Sequence, residues 1–174
     1  MTVQNFIDKW TGKTVDTDGV YPNQCMDLMH QYLIDCFGLT DSRILAQPQA
    51  RLVYQNFNNV FGHEMFTQIQ NTANNVPIKG DIFFFGSYVG SAGHICIYID
   101  GDVWTFRSFD ANWSTTLPHV QWHNYSGALG WLRFKGVTPL PLTDAQKLSQ
   151  IKIWRNDTTI PDSDFRYKVK TLLG

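Results

Sequence analysis

The sequence predicts an α+β fold in which N-terminal helices pack on an antiparallel β-sheet. Two observations carry this. Up to about residue 60, apolar residues recur every three or four positions, the period of a helix with one buried face. From residue 65 the texture changes to short apolar runs separated by glycine- and aspartate-rich turns, the signature of strands. Helices first and strands afterwards is the α+β order. The chain has 174 residues, 43% of them hydrophobic, enough for one domain with a substantial core.

Residues 3–13 read as a short amphipathic helix, with Val3, Phe6, Ile7 and Trp10 on one side and Gly12 stopping it. Residues 14–24 are a loop rich in Asp, Gly and Pro. Residues 25–37 give the clearest helix: Leu28, Met29, Tyr32, Leu33, Cys36 and Phe37 repeat at helical spacing, and Gly38 suits a left-handed cap. Residues 48–60 read as another helix, with Leu52, Val53 and Phe57 apolar. Strands follow at 65–69, 81–85, 94–99, 103–109 and 128–134, with a glycine-rich loop at 86–93 and a tight hairpin turn at Asp100-Gly101. The catalytic or binding domain is expected over residues 1–135. Residues 136–142 read as a linker, 143 to about 154 as a short helix, and the remainder to 174 as a polar tail.

Composition excludes several classes. A net charge of −1 gives no footprint for nucleic acid. No apolar run approaches the roughly 18 residues that span a bilayer. The N-terminus lacks a basic region followed by an apolar core, as expected of a chain made in the cytoplasm without a secretory signal. Three cysteines, Cys25, Cys36 and Cys96, form no CxxC pair, which argues against a zinc knuckle or a disulfide framework.

One cysteine stands apart. Cys36 and Cys96 fall on apolar faces, where a free thiol behaves as a small hydrophobe. Cys25 opens a helix directly after a polar loop. Unpaired N–H groups and the positive end of the helix dipole there favour a thiolate, the reactive form. The backbone N–H of Cys25 is placed to donate to an oxyanion, and the Gln24 side-chain amide is a second donor for that task. Among the histidines, His30 lies off its helix's apolar stripe, and His63, His119 and His123 fall in polar, irregular stretches. Only His94 opens a strand, directly after glycines. A catalytic imidazole needs an acceptor for its second ring nitrogen. Asp110 and Asn112 alternate along an extended segment and can share a face; Asp110 is the preferred acceptor, and Asn112 reads equally well as a turn former.

Taken together, Asp16-x-Asp18-Gly19, Gln24-Cys25-x-Asp27-Leu28, Pro77-Ile78-Lys79-Gly80-Asp81-Ile82-Phe83, Gly93-His94, Asp110-Ala111-Asn112-Trp113 and Gly130-Trp131-Leu132-Arg133 resemble the CHAP domain, the cysteine, histidine-dependent amidohydrolases/peptidases. The resemblance covers roughly residues 3–135. It implies a papain-like α+β fold and hydrolysis of an amide bond in the peptidoglycan of a Gram-positive cell wall, as amidase or as endopeptidase. Cys25 would be the nucleophile and His94 the general base. The family's acidic third member is most often Glu; here Asp110, one methylene shorter, takes that place. The missing signal and the early start of the domain resemble a bacteriophage lysin, with residues 136–174 leading to a wall-binding domain or docking on a tail protein.

The loop before Cys25 also has metal-ligand spacing. With Asp16 as position one, Asp18 is three, Val20 five, Pro22 seven and Asp27 twelve, the spacing of a calcium loop with carboxylates at one, three and twelve and carbonyls between. Position five offers only a carbonyl, and glycine stands at four instead of six. An ordinary acidic turn accounts for the composition as well. The resemblance adds weight to calcium, since some CHAP lysins hold that ion just before the cysteine, and it implies a structural role.

Two other readings remain open. A transglutaminase-like or ester-cleaving enzyme would use the same thiol and imidazole. A non-catalytic wall-binding module or structural phage tail piece would use the aromatics, of which Trp113 and Tyr88 are best placed to line a groove and Trp104, Trp122, Trp131 and Tyr125 read mostly as core.

Overall fold

A computed structural model of the chain describes residues 1–136 together with Ile151, Lys152, Arg155 and Val169. Those positions apart, the linker, helix and tail expected over 136–174 lie outside the described residues.

Helix α1 (Val3–Trp10) starts where the Thr2 hydroxyl accepts the Asn5 N–H at 3.2 Å, and it buries Phe6 and Ile7. It ends before the expected residue 13, because Thr11 leaves the helical conformation (ψ 123°). Helix α2 (Cys25–Phe37) has the predicted bounds. Gly38 closes it at φ 71°, and Leu28, Met29, Tyr32 and Leu33 form its buried stripe. Helix α3 (Ala50–Gln55) is only the middle of the predicted 48–60 segment. Asn56 breaks the helix at φ −102°, ψ 19°, and Phe57–Asn59 continues as a 3₁₀ turn.

Six strands follow: β1 (Phe66–Gln70), β2 (Ile82–Phe85), β3 (His94–Gly101), β4 (Thr105–Asp110), β5 (His119–Asn124) and β6 (Ala128–Phe134). They form one antiparallel sheet in the order β1-β6-β2-β3-β4-β5. The β3–β4 turn sits two residues later than expected. Strand β3 runs through Asp100-Gly101, and the Asp102 carboxylate accepts the N–H groups of Trp104 and Thr105 at 2.7 and 2.9 Å. An aspartate that holds its own turn therefore outcompetes the Asp-Gly pair. Strand β5 was not anticipated. Its apolar residues Val120 and Trp122 face solvent, while His123 points inward, so the usual pattern is inverted.

Both faces of the sheet are covered. Ile82, Phe84, Ile95, Ile97, Phe109 and Leu132 pack against the helices with Phe6, Leu28, Met29, Tyr32 and Val53. On the other face Phe83, Phe85, Cys96, Tyr98, Phe106 and Trp131 form a second, largely aromatic layer. Strand β2, buried on both sides, is accordingly an unbroken apolar run. Arg133 on β6 reaches the buried Asp81 through two hydrogen bonds of 2.9 and 2.7 Å, tying β6 to the start of β2. Among the described residues no helix is long and apolar enough to cross a membrane.

Candidate active site

The N-terminus of α2 meets the start of β3 and the end of β4, and this junction collects the polar residues of interest. Cys25 is the first residue of α2, so its N–H has no preceding turn of helix to bond. Two contacts fix the approach to it. The Asn23 N–H and Oδ1 both bond the Val15 backbone, at 2.6 and 2.8 Å, and Asn23 takes φ 67° to do so. Asp27, in the first turn of α2, accepts the Gln24 N–H at 3.0 Å and both the N–H and hydroxyl of Thr17. The helix is thereby capped and its preceding loop held by one buried carboxylate.

His94 follows Gly93, which lies at φ 71°. A Cβ on Gly93 would run into the Phe85 carbonyl and the Arg51 backbone and side chain, so glycine alone allows the loop to dock there. Arg51 completes that docking by donating from its N–H to Ala92 and from Nε to the Ser91 carbonyl, at 2.9 and 2.8 Å.

The imidazole of His94 is buried. Its Nε2 lies 2.8 Å from Asp110 Oδ1, and Cys25 at the start of α2 is near enough to act on the ring electrostatically. With Nε2 committed to Asp110, Nδ1 is the nitrogen left for the thiol. Asp110 is fully buried and accepts two further hydrogen bonds, from His123 Nε2 to Oδ1 at 3.0 Å and from the Ser108 hydroxyl to Oδ2. Trp113 packs edge-on against both imidazoles, 4.7 Å from His94 and 4.6 Å from His123 between ring centres, with 39% of its own surface exposed.

The electrostatics follow from this packing. Burial by itself pulls His94 down, but the hydrogen bond to Asp110 and the interaction with Cys25, with the charge on each, outweigh it and hold the imidazole up at about 9. Burial by itself raises Asp110, but the hydrogen bonds from His123 and His94 overcome it and hold the carboxyl at about 2. The other thiols are suppressed: burial pushes Cys36 up to about 11 and Cys96 well above the ordinary range.

These shifts bear on stability. His94 lies above its ordinary 6.5, so its contribution is fully present below 6.5 and is lost as pH rises through about 9. Asp110 lies below its ordinary 3.8, so its contribution is present above 3.8 and is lost as pH falls through about 2. The melting temperature is expected to drop between pH 6.5 and 9, and the His94→Gln variant, measured by the same thermal scans, is expected to lose that component of the drop.

The remaining predicted residues fall as follows. Asn112 is exposed at φ 58°, its N–H bonded to the Thr116 carbonyl at 3.2 Å; the chain turns there, and it is Asp110 that reaches His94. The Gln24 amide donates to the Val20 carbonyl at 3.3 Å, which braces the loop. Carboxylate oxygens of Asp16, Asp18 and Asp27 all lie within 4.8 Å of one another. Asp16 accepts the Gly19 N–H and Asp18 the Val20 N–H, which curls the loop around that point. Val20 and Pro22 belong to the same loop, and Val20 is largely exposed. Tyr88 is 80% exposed on the loop before β3, and Trp104 and Trp122 face solvent instead of the core. His123, set aside on sequence as part of an irregular stretch, is the residue that was missed. The alternation in His119-Val120-Gln121-Trp122-His123 was the available signal for the strand that carries it.

No protein-family model matches the chain. Two curated relatives do. Endolysin LysK of Staphylococcus phage K is 35% identical over 121 residues, covering 65% of this chain and 22% of LysK. Endolysin PlyTW of Staphylococcus phage Twort is 28% identical over 142 residues, covering 75% of this chain and 29% of PlyTW. The chain thus spans less than a third of the length of either. Among solved structures, the wild-type endolysin LysIME-EF1 superposes with a TM-score of 0.57 at 28% identity, over 77% of this chain and 64% of that one. LysK and PlyTW are phage endolysins and the solved structure is an endolysin, which agrees with the CHAP resemblance and with the papain-like α+β class.

Proposed function

We propose that this chain is the catalytic module of a phage peptidoglycan hydrolase, a CHAP-type cysteine enzyme that cuts an amide bond of the bacterial wall through an acyl-enzyme. The observation that carries the reading is the buried His94–Asp110 hydrogen bond, with Cys25 at the start of α2 acting on the same imidazole. The similarity to endolysins supplies the substrate class.

In this reading Asp110 fixes the His94 tautomer, so that Nδ1 faces Cys25 and shares a proton with its sulfur. The thiolate attacks the carbonyl carbon of the scissile amide, and the Cys25 N–H donates to the developing oxyanion. The C–N bond breaks as His94 gives its proton to the leaving amine, and a thioester remains on Cys25. Water then loses a proton to His94 and attacks the thioester; the C–S bond breaks, and the thiolate returns beside a protonated His94. Trp113, with one edge open beside the imidazole, is suited to line the groove that receives the stem peptide or cross-bridge. The curated relatives extend far beyond the matched segment, which leaves room in this reading for a wall-binding domain or tail-protein contact, with action on the wall after release.

The loop before α2 fits a calcium ion. Three carboxylates within 4.8 Å repel one another unless a cation neutralises them, and hard oxygen donors are the ligands calcium takes. Asp16, Asp18 and Asp27 would hold the ion, with backbone carbonyls of Val20 and Pro22 as the other donors. Bound there, the ion would supply loop rigidity, and Asp27 would transmit it to the helix start through Gln24. Chelation is expected to lower both the melting temperature and the lysis rate, and Asp16→Asn is expected to remove the calcium response. Thermal scans and lysis assays unchanged by a chelator would exclude the site.

The function itself is tested on purified Gram-positive peptidoglycan by the release of new amino termini. Alanine at the glycan junction would identify an amidase, and a residue of the stem or bridge an endopeptidase. No new amino termini from any wall, with binding retained, would favour a non-catalytic wall-binding module.

A further inference from the structure

We propose that His123 is a positioning residue for Asp110: it holds the carboxylate ionised and in place, so that Asp110 can orient His94. This rests on the cysteine-hydrolase reading of the same site.

The geometry assigns the role. His123 lies on β5, where its backbone pairs with Phe106, four register positions away from Asp110. The residue between on β4, Ser108, is small and fully buried, which leaves room for the ring to cross to Asp110 Oδ1 at 3.0 Å. That oxygen is the one 2.8 Å from His94. A carboxylate removed from water needs its lone pairs filled, and here three donors fill them: His94, His123 and Ser108. His94 is the donor whose ring changes charge during turnover. His123, held by Asp110 and the rings of Phe85, Phe106 and Trp113, can stay fixed while His94 works. Trp113 braces both rings edge-on, and Phe85 and Phe106 pack beside His123 at 5.2 and 5.4 Å.

The groups that face His123 are few. Strand β4 offers Asp110 and Ser108, β3 offers His94 and Cys96, and α2 offers Cys25 behind His94. Cys96 stays a neutral thiol, so Asp110 is the one anion His123 addresses directly. His123 and His94 both keep Asp110 ionised, each through a hydrogen bond and through charge. Loss of His123 should leave Asp110 less firmly ionised and let the protonated form of His94 fail at a lower pH. An aspartate in place of a longer acid makes such a second anchor useful, because its single methylene gives one reachable position only.

The test compares His123→Leu, which removes the donor, with His123→Gln, which keeps an N–H at similar reach. The first readout is the titration of the His94 imidazole by NMR, which needs no substrate. His123→Leu is expected to move the His94 midpoint down by about one unit, equivalent to about tenfold in the protonation equilibrium, and His123→Gln to restore most of it. Lysis should follow, with kcat falling for His123→Leu while KM holds. If His123→Leu does not fold, His123→Asn, too short to reach Asp110, should give the same shift. A His94 midpoint and kcat that equal the wild type in a folded donor-less variant would overturn the proposal. So would equal impairment of the Leu and Gln variants in proportion to lowered melting temperature. A wild type that cleaves no wall, yet shows the His94 shift on loss of His123, would sink the hydrolase reading and leave this one standing.

Discussion

Replacing Cys25 by alanine is expected to lower kcat for wall cleavage by about six orders of magnitude, the scale seen when a covalent nucleophile is removed from a hydrolase. The reason lies in what no other group can supply. Cys36 and Cys96 are held as neutral thiols by burial, and neither opens a helix. Water activated by His94 would lack the sulfur that splits the reaction into two lower barriers. The fold should be unaffected. The contacts that position α2 run mainly through Asp27, Asn23 and the buried stripe from Leu28 to Leu33, and alanine keeps the Cβ of the half-buried Cys25. Release of new amino termini from purified walls checks the rate, and a thermal scan within a degree or two of wild type checks the fold.

The second large effect is expected at Asp110→Asn: a loss of about 10⁴ in kcat, as for the corresponding change in a serine-protease triad. The amide keeps the shape but offers one acceptor oxygen and an NH₂ group. Asp110 now receives donors on both oxygens, from His94 and His123 on one and from Ser108 on the other. An asparagine must therefore set its NH₂ against one of them. If it faces His94, the imidazole flips its tautomer and Nδ1 no longer suits Cys25. Either way the negative charge that holds His94 up at about 9 is gone. The variant should bind walls with unchanged KM and show a lowered His94 titration by NMR. Because a buried donor is left unpaired, it should also lose about 1–3 kcal/mol of stability in denaturant titrations.

What could be read in the sequence and what could not divides along physical lines. Helix α2 was legible to the residue, because its apolar stripe, the polar loop before it and Gly38 after it all agree. His94 was legible because glycine before a strand marks a close backbone approach, and Gly93 does abut the Phe85 carbonyl. Asn112 misled through period two: alternation places it beside Asp110 only while the chain stays extended, and Asn112 leaves that conformation at φ 58°. Strand β5 escaped because the sheet's second face is itself a core. A histidine there points inward to a buried carboxylate and Trp122 points to water, so hydrophobicity gives the wrong side. The clustering of Asp16, Asp18 and Asp27 could be read from their spacing, but the capping of α2 and the hold on Thr17 by Asp27 needed the folded chain to be seen.

The most direct test of the central claim is to titrate lysis against alkylation of Cys25 in the wild-type protein. Iodoacetamide is added in steps, and the occupancy of each thiol is read by peptide mass spectrometry. Cys25 is expected to be modified first, with Cys36 and Cys96 spared, and lytic activity to fall in proportion and reach zero at one equivalent on Cys25. Full lysis with Cys25 completely alkylated would contradict the claim.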